Sequence, residues 1–291
     1  MKCLIVTNAY DKGLSQQKKV ERITAELQAL DVQTETVTND RFLAYIKDGK
    51  AFSSVDADFC FYFDKDKYTA ELLEQCGLKL FNSAKSMAVC DDKMQTHICL
   101  AQSGIPMPNT IGGALCYTQD ATVSREYLQG VTDRLGLPLV VKQCYGSFGA
   151  QVFLTNTFDE LAKITDRVKH SAYLFQSYVA ESCGRDVRVI VIGGRAVCAM
   201  LRQNDNDFRS NVELGGKATA VKITPQIAEI CEQTAVALKL DYCGIDVLLS
   251  DNGPLVCEVN SNAMFNAMEQ ATGFNVAKMY VEHALSVVKR K

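Results

Sequence analysis

The chain's strongest chemical signal is GIDVLLSDNGPLVCEVNSN, Gly244 to Asn262, where two carboxylates and several amides interrupt an apolar frame. Asp251, Asn252 and Gly253 suit a three-residue hairpin loop, with glycine supplying the left-handed position. If Ser250 then pairs with Pro254, Asp246 falls opposite Glu258. Directly paired residues project to one face with Cα atoms about 4.5 to 5.5 Å apart. Asn260, two residues beyond Glu258, shares that face. Carboxylates this close repel unless a cation or proton sits between them. The all-oxygen set Asp246, Glu258 and Asn260 suits magnesium or manganese. A solvent-facing polar strip on an antiparallel sheet has the same pattern, so spacing leaves both readings open.

A second candidate is LVVKQCYGSFGAQV. Lys142 ends an apolar strand ahead of Gly146 and Gly149, where a lysine and exposed backbone N–H groups suit phosphate oxygens. It is not a Walker motif, because it lacks G-x-x-x-x-G-K-[ST] and leads into a strand. An ordinary strand end would look similar. In RQNDNDFRSNVELGGKA, Arg202, Arg209, Ser210 and Asn211 lie in a polar stretch, and arginine offers paired donors to a carboxylate or phosphate. An exposed, solvated loop is the alternative. Lys93 near a helix start is equally open, and His97, His170 and His283 fit helix faces or the surface better than a reactive centre.

The elements that must carry these groups are those of a chain of 291 residues, enough for two or three subdomains. The net charge of −3 gives no general attraction to nucleic acid or anionic lipid, so anion binding has to be local. None of the twelve cysteines forms C-x-x-C, and most sit in apolar runs, so they read as reduced core residues of a cytoplasmic protein. The N-terminal MKCLIVTNAYDKG is too short for a signal-peptide core, and no stretch approaches a membrane span.

Periodicity predicts strands at Cys3 to Val6, Val32 to Val37, Phe59 to Phe63 and Leu78 to Phe81. Helices are expected from about Ser15 to Leu30 and from Thr69 to Cys76. This is a small Rossmann-like open sheet without G-x-G-x-x-G. A helix capped by Asp91 or Asp92 runs to Gly104. A helix near Tyr127 to Leu135 precedes the Lys142 hairpin, and a strand runs from Tyr173 to Tyr178. Strands Asp186 to Ile192 and Ala196 to Arg202 turn at Gly193-Gly194. Further helices start at Thr224 and run from Val276 to Val288. The expected division is residues 1–90, 91–178 and 179–291.

Taken in order, CDDKMQTHICLAQSGIPMPNT, PLVVKQCYGSFGAQV, FQSYVAESCGRDVRVIVIGGRAV, FRSNVELGGKA and GIDVLLSDNGPLVCEVNSN resemble the ATP-grasp superfamily, most closely the RimK-type glutamate ligases. The resemblance covers about two thirds of the chain. It implies an α/β chain in which ATP lies between two α+β subdomains, one a mobile lid bearing Lys142, Gly146 and Gly149. Gln176, Ser177 and Tyr178 match the linker that reads adenine through its backbone, and Asp186 matches the ribose position. Lys93 and Lys142 match phosphate-contacting lysines, Arg209, Ser210 and Asn211 a substrate and phosphate loop, and Asp246, Glu258 and Asn260 the metal ligands. Two ions, magnesium or manganese, are implied.

The implied reaction joins an acid, through an acyl phosphate, to an amine. Arg202 and Arg209 are the candidates for stabilising the acyl phosphate, with Asn211 beside them and Arg188 a weaker third. The partners implied are ATP and an amino acid or peptide, with no nucleic acid or membrane, and a homo-oligomer stays open. Two departures stand out: Ser177 replaces a frequent acidic residue, and NSNAMFNAME replaces a Pro-Gly turn beside the acceptor. A small-molecule kinase and a nucleotide-binding module without turnover are the competing functions.

Overall fold

The run KCLIVT buries four consecutive side chains, the pattern of a parallel strand covered on both faces. In the computed structural model, which describes residues 1–147, 149–211 and 215–290, this is β1 (Lys2–Thr7). It is followed by α1 (Leu14–Gln28), β2 (Gln33–Thr38), β3 (Ala44–Lys47), β4 (Lys50–Ser53), β5 (Phe59–Phe63), α2 (Lys67–Gln75) and β6 (Lys79–Phe81). Sheet order β2-β1-β5-β6 is parallel throughout. The open sheet thus has its expected strands. The β3–β4 hairpin was not anticipated, although its turn carries Asp48-Gly49, both at positive φ, the pair such a tight turn favours.

Next come α3 (Ala84–Asp91) and α4 (Lys93–Gln102), separated by Asp92, whose carboxylate accepts the Met94 and Gln95 N–H groups. The expected cut at 90/91 therefore falls in the last turn of α3. The second sheet comprises β7 (Thr110–Gly112), β8 (Leu139–Gln143), β9 (Val152–Thr155) and β10 (Tyr173–Ser177), in the antiparallel order β7-β10-β8-β9. α5 (Arg125–Leu135) and α6 (Phe158–Val168) pack on it through Leu128, Val131, Leu161 and Val168. Sequence reading missed α6, although Thr157 caps it by accepting the Glu160 N–H.

The third sheet holds β11 (Arg185–Ile192), β12 (Arg195–Gln203), β13 (Lys217–Val221), β14 (Tyr242–Ser250) and β15 (Gly253–Asn260). Its order is β13-β12-β11-β14-β15, all antiparallel. α7 (Pro225–Ala237), capped by Thr224, covers one face; α8 (Asn266–Thr272) and α9 (Val276–Val288) close the chain.

Packing does not follow the linear division. One core joins Ile5, Phe59 and Phe61 of the first sheet to Ile190, Met200 and Tyr242 of the third through Tyr280 and Val281 of α9. Leu100 and Ile105 pack with α7 and the other face of the third sheet, so residues after Asp92 are not all part of the second unit. The β7–β10 layer with α5 and α6 has a core of its own, and so does the other face of the first sheet, through Leu4, Val6, Tyr62, Leu73 and Leu80.

Gly244 on β14 marks a tight approach between the third sheet and the chain just beyond β15: a Cβ there lies 2.6 Å from Ala263 Cβ. Gly244→Ala is expected to destabilise the protein by about 1–3 kcal/mol through overpacking, read as a lower denaturant midpoint at unchanged m-value.

Candidate functional site

Asp246 does pair with Glu258, by a route other than the expected one. Ser250 pairs with Gly253, so the turn has two residues, Asp251 and Asn252, and the ladder starts one residue out of the expected register. A bulge at Cys257 restores it: Val247 pairs with Val256, and Asp246 with Glu258. The bulge also turns Cys257 toward the cleft, where Lys142 Nζ lies 3.4 Å from its Sγ.

Asp246 is enclosed by guanidinium groups. Arg188 Nε and Nη2 donate to its Oδ1 and Oδ2, each at 2.7 Å, and Arg202 Nη2 lies 2.9 Å from Oδ2. Arg202 also donates to both oxygens of Asp186, at 2.8 and 2.5 Å. Burial alone raises the Asp246 carboxyl, but Arg188 and Arg202 outweigh it and hold it at about 2. Burial and the Asp246 charge push Asp186 the other way, upward. Arg202 is only 2% exposed and is held through Nε and Nη2 by two carboxylates, so to the smaller of two crevices, which it lines, it can offer only Nη1. The less enclosed Arg188, ranked behind it from sequence, lines a large polar crevice. Asp186, expected at the ribose, lines the smaller crevice, and each of its oxygens accepts one bond from Arg202.

Lys93 meets the turn after β8, and Lys142 the neighbouring strands. Lys93 Nζ donates to Gly146 O at 3.0 Å and lies 3.6 Å from Glu258 Oε1. Lys142, nearly buried, donates to Gln176 Oε1 at 2.6 Å. Arg209 is paired with Asp207 and donates through Nη1 to Gly149 O at 2.6 Å, joining the polar loop to the lid.

Two crevices result. One, of about 100 Å³, has apolar walls from Val140, Val152 and Leu248 and also takes in Gln176, Ser177, Tyr178, Asp186, Ser210 and Lys142. The other, of about 390 Å³, runs between the first sheet and β15 past Asn8, Asp64, Lys93, Arg188, Asn260 and Asn262. Glu258 and Asn211 line both, so the crevices meet there.

Among the described residues, three or more His, Cys, Asp and Glu side chains converge nowhere as a metal cluster; the candidate set is two carboxylates and an amide. It nonetheless fits a hard cation. Glu258 is partly exposed, Asp246 Oδ1 accepts a single bond, and Asn260 can serve an ion only through its amide oxygen, since its buried, unpartnered Nδ2 is a donor. A carboxylate oxygen has two lone pairs, so Oδ1 keeps one.

Sequence reading missed the first sheet's contribution. Asp64, at the end of β5, accepts from Asn8, Asn39 and the Lys65 N–H, tying together the loops that form the large crevice. Only the position of Asn8 and Asp64 just past two parallel strands could have marked them. His97 is buried, with Nε2 3.3 Å from Gln176 Nε2. Burial, then Lys142 and Lys93, lower it to about 4. Seven of the cysteines are buried, but Cys76 and Cys183 are exposed and Cys99, Cys116 and Cys257 half-buried, so the core assignment was too broad.

The RimK-like ATP-grasp domain model matches residues 90–284. The chain belongs to this family. N-acetylaspartylglutamate synthase A of Homo sapiens is 35% identical over 231 residues, 78% of this chain and 58% of that protein. The chain thus spans less than two thirds of that relative's length. A probable alpha-L-glutamate ligase of Legionella pneumophila (strain Corby) is 35% identical over 214 residues, 72% of this chain and 68% of that one. The structure of the ATP-grasp ligase PsnB complexed with minimal precursor, Mg and ADP superposes with TM-score 0.72 at 17% identity, over 98% of this chain and 97% of that chain. The fold is ATP-grasp, with an N-terminal open sheet. Among the described residues no helix is long and apolar enough to cross a membrane.

Two outcomes are expected of this arrangement. Arg202→Ala leaves Asp186 and Asp246 buried and short of a counter-charge, and should cost about 3–5 kcal/mol in urea unfolding. His97 has a folded pKa of about 4 against an ordinary 6.5, so the unfolded chain binds more protons between these values. Stability should fall by up to about 3 kcal/mol as pH drops from 6.5 to 4, and less in His97→Gln.

Proposed function

We propose that the chain is an ATP-dependent carboxylate–amine ligase, forming an amide through an acyl phosphate and adding glutamate or a similar amino acid to a peptide or small metabolite. The observation that carries this is the meeting of the two crevices at Glu258 and Asn211. One suits a nucleotide, the other a polar acid and amine, and their junction is where phosphoryl transfer has to occur. The names of the relatives, a synthase and a probable ligase of glutamate compounds, agree with it.

ATP lies in the smaller crevice, its base between the apolar walls and along Gln176, Ser177 and Tyr178. The Ser177 N–H already donates to Asn109 O at 2.9 Å, which leaves backbone recognition to its neighbours. Lys142 and Lys93 exchange Gln176 and Gly146 O for phosphate oxygens, a trade of neutral acceptors for charged ones. Arg209, Ser210 and Asn211 flank the phosphates, and release of Gly149 O by Arg209 opens the lid. Asp246, Glu258 and Asn260 would hold magnesium or manganese, as two ions, which supply positive charge to the phosphate oxygens. Arg202 fixes Asp246 and Asp186 from behind.

An oxygen of the acid attacks the γ-phosphorus, and the bond to ADP breaks. The amine then attacks the acyl carbon and expels phosphate. Arg188, at the crevice wall, faces the acyl phosphate. Positioning and charge suffice for both steps, so no side-chain nucleophile is needed. The free thiols fit a reducing cytoplasm.

With ATP, magnesium and a productive acid–amine pair, the protein should release ADP and yield a hydroxamate when hydroxylamine replaces the amine. Asp246→Asn and Glu258→Gln should each lower ADP release at least about 100-fold, and Lys142→Met should raise the half-saturating ATP concentration. Full activity in both carboxylate variants sinks the assignment.

A further inference from the structure

Lys19 on α1 is fully buried, and none of the ion pairs among the described residues includes it. Its Nζ donates to Asn262 Oδ1 in a short contact and to Ala263 O at 3.2 Å, with Asn262 O at 3.4 Å. The Phe63 ring centroid lies 4.1 Å from the same nitrogen. A buried lysine without a carboxylate is costly to keep charged, and burial lowers Lys19 to about 7. Here its hydrogens are spent on the segment just after β15, the strand that bears Glu258 and Asn260. Asn82 holds the same segment by donating to Ser261 O at 2.7 Å.

In its protonated form Lys19 has donors and no acceptor, and it is the oxygen of the Asn262 amide that faces it. The amide nitrogen must then point away. Asn262 lines the large crevice, and its Nδ2 is neither among the buried atoms lacking a partner nor engaged in a bond with any described residue. Lys93, Arg188 and Lys65 line the same crevice. Asp11, Asp64, Asp91 and Glu258 line it too, so the wall offers a hydrogen-bond donor amid charges of both signs.

We infer that Asn262 is a substrate-reading residue: its Nδ2 donates to a carboxylate of the amino-acid substrate, and Lys19 is the positioning residue that fixes the amide in that orientation. The inference rests on the large crevice being the ligase's substrate site. It explains a buried lysine that the phosphoryl chemistry does not use. Asn262→Asp separates the two functions of the amide, because one carboxylate oxygen still accepts from Lys19 while the other presents negative charge to the crevice. Lys19→Met frees the amide to turn either way.

The test is calorimetric titration of L-glutamate into the ADP- and magnesium-loaded protein, with ADP affinity and melting temperature measured alongside. Asn262→Asp should keep the melting temperature and ADP affinity and weaken glutamate at least about tenfold, through a lost charge-assisted bond and a new repulsion. Lys19→Met should weaken glutamate severalfold at unchanged ADP affinity, whereas general loosening of β15 would weaken both. Asn262→Leu, which cannot donate, should match Asn262→Asp in direction if the latter fails to fold. Undiminished glutamate binding in the folded Asn262 variants, joint loss of ADP and glutamate binding in Lys19→Met, or no glutamate binding by the unaltered protein overturns the inference. ADP release in the presence of acids and amines separates the two proposals. Turnover without any role for Asn262 refutes this one alone; glutamate binding through Asn262 without ADP release refutes the ligase reading.

Discussion

Charge neutralisation across the third sheet is the constraint on which the rest depends. Asp186 lies opposite Arg202 on β11 and β12, Arg188 opposite Asp246 on β11 and β14, and Asp246 opposite Glu258 on β14 and β15. The charged row therefore runs strand to strand on one face, with Val187, Val189 and Ile245 of the opposite face in an apolar core. A one-residue slip of any strand exchanges these faces. Carboxylates would enter the core and apolar side chains the cleft, and buried charges without partners cost several kcal/mol each. The register that folds the sheet is thus the register that assembles the site.

The same row explains how the cleft tolerates its own charge. Two guanidinium groups neutralise Asp186 and Asp246 from within the sheet, and Lys93 stands near Glu258 at its open end. Glu258 is the least enclosed carboxylate of the row, and the two crevices meet there. Beyond β15 the chain is pinned from the first sheet's side by Lys19 and Asn82, so the open sheet sets the position of the segment that walls the large crevice. The shared core through Tyr280 and Val281 makes that support rigid.

Much of the candidate site was legible because its residues repeat with strand periodicity. Asp246 and Glu258 were placed opposite each other from spacing, although the loop length assumed was one residue too long and the bulge at Cys257 compensated. A bulge has no compositional signature, so the agreement there owed something to cancelling errors. Sequence shows a guanidinium but not its burial, so the pairing of Arg202 with Asp186 and Asp246 was not foreseen. Asp64, Asn8 and Lys19 were overlooked since their partners lie far along the chain: Lys19 and Asn262 are brought together by the packing of α1 on α8 and α9. α6 and the β3–β4 hairpin were missed despite a threonine cap and an Asp-Gly turn, signals that were present in the letters and went unread.

The most direct measurement tracks oxygen atoms. With the acid substrate labelled by ¹⁸O in its carboxylate, an acyl phosphate mechanism transfers one labelled oxygen to inorganic phosphate for each amide formed. Phosphate carrying one ¹⁸O, in step with ADP and amide, is the result this account predicts. Amide formation with unlabelled phosphate, or label-free phosphate attached to a hydroxyl product, would contradict it.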